Sequence, residues 1–144
     1  PDRGLALLVA LLVALLVSMR TLLALAAISG FLAVALGAFG AHGLRKKLEA
    51  VSDGPRRLEW WHTGASYHLA HSLAIGLSAL VSERTPGGWP AAAAWSFAGG
   101  IVLFSGSLYV MTVTGLRKLG AVTPLGGLAL LAGWGCLLAA ALGG

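Results

Sequence analysis

The sequence predicts an all-α integral membrane protein, organised as a four-helix bundle with a short interfacial amphipathic helix after the first span. Of its 144 residues, 58% are hydrophobic and only 10% are charged, whereas a soluble domain carries about 25% charged residues. The charged residues gather in the gaps between four apolar stretches. The chain also contains 21 glycines, and glycine is frequent in membrane helices because it lets backbones approach closely.

Four stretches are long enough to cross a bilayer, which requires about 20 predominantly apolar residues. They cover about residues 21–41, 62–81, 91–114 and 121–142, and none of them contains Asp, Glu, Lys or Arg. Each such residue would cost about 2.5–3.5 kcal/mol at the centre of the bilayer. We therefore assign residues 19–144 to a single four-span transmembrane domain.

Residues 1–18 form an apolar N-terminal extension of uncertain status. The run Leu5–Val17 would cover about 20 Å as a helix, which is short of the ~30 Å hydrocarbon core. It resembles the apolar part of a signal peptide, but no convincing cleavage site follows it. Two interpretations stay open: Met19 is the biological start, or the run lengthens the first helix.

The loop after the first span predicts its own short helix. Leu44, Leu48 and Val51 recur at helical spacing, and charged residues occupy the other faces. This pattern is typical of an amphipathic helix in the plane of the membrane interface. Asp53 and Gly54 end it, and Pro55 suits the first turn of the helix that leads into the second span.

The basic residues predict the orientation of the chain. Seven lie in the first and third loops, which share one side of a four-span protein, and three lie on the other side, namely Arg3, Arg20 and Arg84. Because loops rich in Lys and Arg stay in the cytoplasm, we expect both termini outside. We also expect the seven to contact anionic lipids rather than nucleic acid; they are Arg45, Lys46, Lys47, Arg56, Arg57, Arg117 and Lys118.

Small residues mark the expected helix-packing faces. Helices in lipid associate through close van der Waals contact, which small side chains permit. The first span carries a ridge at a spacing of four residues, and the third and fourth spans carry glycines of the same kind. The predicted packing residues are Ser29, Ala33, Gly37, Ala41, Gly106 and Gly133.

The polar side chains within the spans concentrate toward the predicted cytoplasmic half, and such groups are functional candidates by default. The candidate cluster comprises His42, His62, Tyr67, His68, His71, Ser105, Tyr109 and Thr112.

Three interpretations of this cluster compete. In the leading one, His68 and His71 form interhelical hydrogen bonds with Ser105 and Tyr109. In the second, the histidines relay protons or line a path for a small solute. In the third, His42 and His71 ligate haem, or the histidines bind a metal, although no carboxylate or thiolate supports a closed site.

Four segments, taken together and in order, resemble a known family. They are GAFGAHGL at residues 37–44, SYHLAHSLAIGL at 66–77, FSGSLYVMTVTG at 104–115 and LGAVTPLGGLALLAGW at 119–134. They are similar to the domain-of-unknown-function 423 family, whose animal relatives are called transmembrane protein 256-like. The resemblance covers about residues 19–142 and implies a small four-helix protein of the bacterial inner membrane. It implies no activity and no catalytic residue.

The sequence thus predicts a multi-pass, non-enzymatic protein of the bacterial inner membrane, with the bilayer itself as its first partner. The leading hypothesis is a packing or accessory subunit of a membrane assembly, either as a homo-oligomer or within a larger complex. A small channel or transporter-like protein is the alternative, and a haem- or metal-binding protein is the second alternative. We expect no catalytic residue, no cofactor, no metal and no nucleic-acid partner.

Overall fold

The computed structural model describes residues 3–85 and 87–143, and it confirms the all-α fold class. The α-helices are α1 (Arg3–Val17), α2 (Met19–Phe39), α3 (Arg45–Leu48), α4 (Gly54–Ser82), α5 (Trp89–Thr114) and α6 (Thr123–Ala141). A π-helical turn, Gly40–Leu44, joins α2 to α3, and a 3₁₀ helix, Arg117–Ala121, precedes α6. Pro1, Asp2 and the side chains of residues 3, 11–13 and 15–17 in the predicted extension lie outside the described part of the chain, as does Gly144 of the predicted domain.

A single residue separates the N-terminal extension from the first long helix. Ser18 has an extended backbone, with φ −61° and ψ 138°. Its hydroxyl oxygen accepts a hydrogen bond from the backbone N–H of Thr21 at 3.3 Å, so Ser18 is the N-cap of α2. Residues 3–17 therefore form a helix of their own, α1, which packs only lightly against α2.

The first loop follows α2 without a linker. The π-helical turn passes directly into α3, and the buried side chains of Leu44 and Leu48 pack against Trp61 of α4. Arg45, Lys46 and Lys47 are exposed, so the predicted amphipathic character of this segment is present. Gly54 then begins α4, with Pro55 in its first turn as the sequence suggests.

Four long helices pack in the order α2, α4, α5, α6, with α4 and α5 as the central pair. The α2/α4 and α4/α5 contacts bury Leu22, Ile75 and Phe97 completely, and Leu130 of α6 joins the same core. Within the described residues, α4 touches α6 only slightly. The bundle is consequently more open between α4 and α6 than between successive helices.

Glycines set the close approach of α6 to α5. A Cβ atom added at Gly126 would overlap the backbone of Phe104, and one added at Gly100 would overlap the side chain of Leu130. Gly133 in turn faces the ring of Phe97. The two helices are therefore in contact through their backbones, as small residues permit in membranes.

Three helical stretches in the described part of the chain are long and apolar enough to cross a membrane. They are Met19–Leu48, Trp89–Thr114 and Arg117–Ala141. The fourth long helix, α4, has 29 residues and covers about 44 Å. Its histidines and serines make it the least apolar of the four, and several of them are buried against its neighbours.

The first and third loops meet at one end of the bundle. Asp53 lies between two cations, with its carboxylate oxygens 2.8 Å from Arg57 Nε and 3.2 Å from Arg117 Nη2. The Thr112 hydroxyl donates to the backbone carbonyl of Arg57 at 3.0 Å. Gly115, with φ +75°, lies against the guanidinium of Arg57, where a Cβ atom would overlap it.

Candidate functional site

A buried polar network joins α2, α4 and α5 around His68. The Nε2 atom of His68 lies 3.2 Å from Ser29 Oγ, and its Nδ1 atom lies 3.3 Å from the Tyr109 hydroxyl. Ser29 Oγ also lies 2.7 Å from Ser72 Oγ, and Ser72 donates to the backbone carbonyl of His68 at 2.7 Å. Three helices thus contribute to one continuous hydrogen-bonded chain.

The direction of every hydrogen bond in this network follows from one fixed donor. The hydroxyl hydrogen of Ser72 is used on the His68 carbonyl, which can only accept. Ser29 therefore donates to Ser72, and accepts from Nε2–H of His68. In a neutral imidazole, the remaining nitrogen, Nδ1, then accepts from the Tyr109 hydroxyl. Both nitrogens of His68 thus have a hydrogen-bond partner.

His71, one turn further along α4, forms a second polar contact. Its Nδ1–H donates to the backbone carbonyl of Tyr67 at 2.8 Å, because a carbonyl only accepts. Its Nε2 atom accepts from the indole N–H of Trp134 at 3.3 Å. This contact links α4 to α6, and each ring nitrogen of His71 has a hydrogen-bond partner.

Aromatic rings surround His71. Its ring stacks on Tyr67 with a centroid separation of 5.7 Å, and the Tyr67 ring stacks on Phe104 at 4.5 Å. On the other side, His71 contacts Phe97 at 5.6 Å and Trp134 at 6.2 Å. The cluster combines the two hydrogen bonds of His71, at 2.8 Å and 3.3 Å, with contacts between aromatic rings.

The remaining predicted polar residues take up different positions. His42, in the π-helical turn, and His62, in the third turn of α4, are exposed and belong to neither network. Ser105 is buried at the α4/α5 contact, where its carbonyl faces Gly64. Thr112 is fully buried, and the carbonyls of Arg57 and Leu108 share its single hydroxyl hydrogen, at 3.0 Å and 2.8 Å.

The structure divides the predicted helix-packing residues into two groups. Ser29 and Ala33 are buried against α4, and Gly133 lies on Phe97 of α5. Ala41 is exposed, and a Cβ atom added at Gly37 would meet no described atom within 4 Å. Gly106 borders a groove between α2 and α5.

All seven predicted lipid-contacting cations lie at the end of the bundle formed by the first and third loops. Six are exposed, and Arg57 is half-buried beside Asp53. The hydrogen bond from Arg117 is the main cause that lowers the pKa of Asp53 below its usual value of 3.8; desolvation opposes it, and the charge of Arg57 adds to the lowering. Arg56 stacks over Trp60, with its guanidinium carbon 5.5 Å from the ring centroid.

Sequence reasoning did not identify Ser72 and Trp134 as partners of the histidines. Ser72 follows His68 at a spacing of four residues, which places both on one face of α4, so its role was detectable. The role of Trp134 was not detectable, because the local sequence pattern of α6 does not indicate which α4 residue the Trp134 indole contacts.

Two of the open grooves on the bundle border a buried histidine. The larger of these two, of about 750 Å³, lies between α4 and α6 and is called the α4/α6 groove below. Its lining residues are Ser66, Tyr67, Ala70, His71, Phe104, Pro124, Gly127, Leu128, Leu130, Leu131 and Trp134. The smaller groove, of about 360 Å³, lies between α2 and α5, with His68 and Tyr109 among its lining residues.

No group of three His, Cys, Asp or Glu residues in the described segments, 3–85 and 87–143, is placed to hold a metal ion. The two buried histidines are instead used in hydrogen bonds. Either one would have to give up such a bond before a nitrogen could ligate a metal. These hydrogen bonds connect helices: those of His68 connect α4 to α2 and α5, and that of His71 with Trp134 connects α4 to α6.

Comparisons with known proteins agree on one family. Residues 36–127 match the family described as "Protein of unknown function (DUF423)". The "UPF0382 membrane protein YwdK" of Bacillus subtilis (strain 168) is 44% identical over 125 residues, covering 86% of this chain and 98% of the relative.

Two further relatives extend the range of organisms. The "UPF0382 inner membrane protein YgdD" of Escherichia coli (strain K12) is 46% identical over 123 residues, covering 85% of this chain and 90% of the relative. A "UPF0382 membrane protein" of Staphylococcus epidermidis is 40% identical over 126 residues, covering 86% and 97%. No solved structure matches the chain. The chain belongs to the DUF423 family of membrane proteins.

Proposed function

We propose that this protein is a non-enzymatic accessory subunit of the bacterial inner membrane, which crosses it four times and assembles with itself or with a partner. The relatives from Bacillus and Escherichia are named membrane and inner membrane proteins. The apolar outer surface carries large exposed side chains such as Phe31, Leu73 and Val102, each at least 69% exposed, as lipid or a partner helix requires.

The observation that carries the non-enzymatic role is the saturation of the two buried histidines. Each nitrogen of His68 and His71 already has a hydrogen-bond partner on another helix or on the backbone. A general acid or base needs a nitrogen within reach of a substrate. These side chains fix helices against each other, at roughly 0.6 kcal/mol per bond in membranes.

The network also disfavours a proton path through His68. Its hydrogen bonds run from Tyr109 through His68 and Ser29 to Ser72, and they end at a backbone carbonyl, which does not take up and pass on a proton. Proteoliposomes containing the protein are expected to lose a pH gradient no faster than empty ones, with and without His68→Ala. A flux that this substitution abolishes would favour a channel.

The position of the basic loops supports an orientation with both termini outside. Asp53 joins the first and third loops at one end, and seven of the ten Lys and Arg residues lie there. That end is expected in the cytoplasm. Cysteine labelling of Lys46→Cys and Arg84→Cys in a Cys136→Ser background tests it: only Arg84→Cys should react with an impermeant reagent from outside.

Assembly is expected through the face around Gly37 of α2 and Ala41 of the π-helical turn, which the other helices leave uncovered. Discs excised directly from membranes with a polymer should contain a species heavier than the 14.6 kDa protomer. Gly37→Leu should reduce this species by about tenfold, while Gly99→Leu, at another glycine whose added Cβ would meet no described atom within 4 Å, should leave it unchanged. A uniformly monomeric protein in such discs would contradict the subunit role.

A further inference from the structure

We propose that the α4/α6 groove binds one acyl chain of an anionic phospholipid, with the phosphate at the cations that precede α6. This is a specific lipid site, and it does not depend on the assembly proposed above. It rests on the length of the groove, on its lining, and on the charge at its open end.

The groove has the length of one leaflet. On α6 it runs from Pro124, beside the first turn, to Trp134, near the middle of the helix. At a rise of about 1.5 Å per residue this distance is about 15 Å, which is half of the ~30 Å hydrocarbon core. A chain that enters at the loop end would therefore reach the bilayer centre at the end of the groove.

The lining suits an acyl chain. Small residues, Ala70 on α4 and Gly127 on α6, leave the space between the helices unfilled. The nearest atom to a Cβ added at Gly127 is a Phe104 ring carbon at 3.9 Å, so a side chain at this position would enter the groove without an overlap at its Cβ atom. Trp134, hydrogen-bonded to His71, lines the deep end, and methylene groups gain dispersion contacts from such rings.

The charge at the open end selects the headgroup. Pro124 lies three residues after the end of the Arg117–Ala121 segment, in which the Lys118 side chain is exposed. Arg117 already binds the carboxylate of Asp53, but its side chain remains 62% exposed. On α4, His62 lies one turn before Ser66 on the same face. A phosphate at this position would meet cations on one side and a histidine on the other.

The first experiment measures lipid selectivity. The delipidated full chain in detergent is titrated with phosphatidylglycerol or phosphatidylethanolamine of identical acyl chains, and bound lipid is counted by native mass spectrometry. One phosphatidylglycerol should bind, about fivefold more tightly than phosphatidylethanolamine for each cation in contact. Equal retention of the two lipids, or of neither, overturns the proposal.

The second experiment places the lipid in the groove. Gly127→Leu fills the open volume and should lower phosphatidylglycerol binding by at least about fivefold. Gly135→Leu adds the same side chain on the same helix at a position where an added Cβ would meet no described atom within 4 Å, and it should bind as the unsubstituted protein does. Unchanged binding by Gly127→Leu overturns the proposal.

The third experiment tests the headgroup contact. Lys118→Gln should lower phosphatidylglycerol binding about fivefold and leave phosphatidylethanolamine binding unchanged, whereas Arg84→Gln at the opposite end should change neither. Equal losses for these two variants would mean diffuse attraction and overturn the site. Should Gly127→Leu lose helicity in circular dichroism, Ala70→Leu replaces it, because its side chain enters the same groove from α4.

Discussion

Two helix interfaces of this protein are held together by different means. At the α2/α4 interface, Ser29, His68 and Ser72 form buried hydrogen bonds of 2.7–3.2 Å between or within the helices. At the α5/α6 interface, Gly126 lies directly on the backbone of Phe104, and Ser107 and Thr123 lie 2.8 Å apart at the end of the contact.

The difference shows what each interface can tolerate. A lost hydrogen bond can be partly replaced by other partners, which is why such bonds contribute only about 0.6 kcal/mol on average in membranes. An added methyl group between two backbones cannot be accommodated by a side-chain rotation. We therefore expect the glycine interface to be the more sensitive of the two to single substitutions.

The largest effect is expected for Gly126→Ala. Its Cβ atom would overlap the backbone of Phe104, so α5 and α6 must separate along their length, at a cost of about 3 kcal/mol. The free energy of unfolding, measured by circular dichroism in detergent micelles with increasing SDS, tests this. Gly127→Ala at the adjacent position, where the nearest contact is 3.9 Å, should stay within about 0.5 kcal/mol of the unsubstituted protein.

An intermediate effect is expected for Ser29→Ala at the polar interface. It removes the acceptor of the His68 Nε2–H bond and the donor to Ser72, so the unfolding free energy should fall by about 1 kcal/mol. Ser66→Ala, on an exposed side chain of α4, should have almost no effect. The double variant Ser29→Ala/Ser72→Ala should cost less than the sum of the two single variants, because the two residues share one bond.

If Ser29→Ala lowered the free energy of unfolding as much as Gly126→Ala does, the α5/α6 interface would not be the more sensitive of the two. It would mean that the unpaired His68 nitrogen dominates the energetics of the α2/α4 interface. Substituting His68 by Phe, which removes the unpaired polar atom while keeping a ring, would then restore part of the lost stability.

The sequence predicts the helices well and their contacts less well. Apolar length and the absence of charge locate the four long helices, because the cost of a charge in lipid is large and local. Pro55 also marks the start of α4. The sequence also predicts the pairing of His68 with Tyr109. Both α4 and α5 carry polar side chains within their spans, and such side chains hydrogen-bond to each other because lipid offers no other partner.

Which of the small residues form contacts between helices could not be predicted from the sequence in the same way. A ridge at a spacing of four residues fixes a helix face, but it does not specify whether another helix covers that face. Ser29 and Ala33 are covered by α4, while Ala41, on the same ridge, is exposed. Gly126, which lies on the backbone of Phe104, belongs to the α5/α6 contact, and only the arrangement of the two helices identifies it.

The smallest effect is expected at the end of the bundle, where Asp53 joins the first and third loops by ion pairs rather than by hydrogen bonds between spans or by backbone contact. Because Arg117 and Arg57 lower the pKa of Asp53 below 3.8, the carboxylate stabilises the folded protein at pH values above 3.8. This contribution is lost as the pH falls through the lower pKa of the folded state.

Asp53→Asn should therefore flatten the decline of unfolding free energy below about pH 4, while Glu49→Gln, an exposed carboxylate in the same loop, should leave it unchanged. If both variants follow the same pH profile as the unsubstituted protein, the ion pairs add nothing to the contact between the two loops, and the Thr112 hydrogen bond to the Arg57 carbonyl holds that end of the bundle.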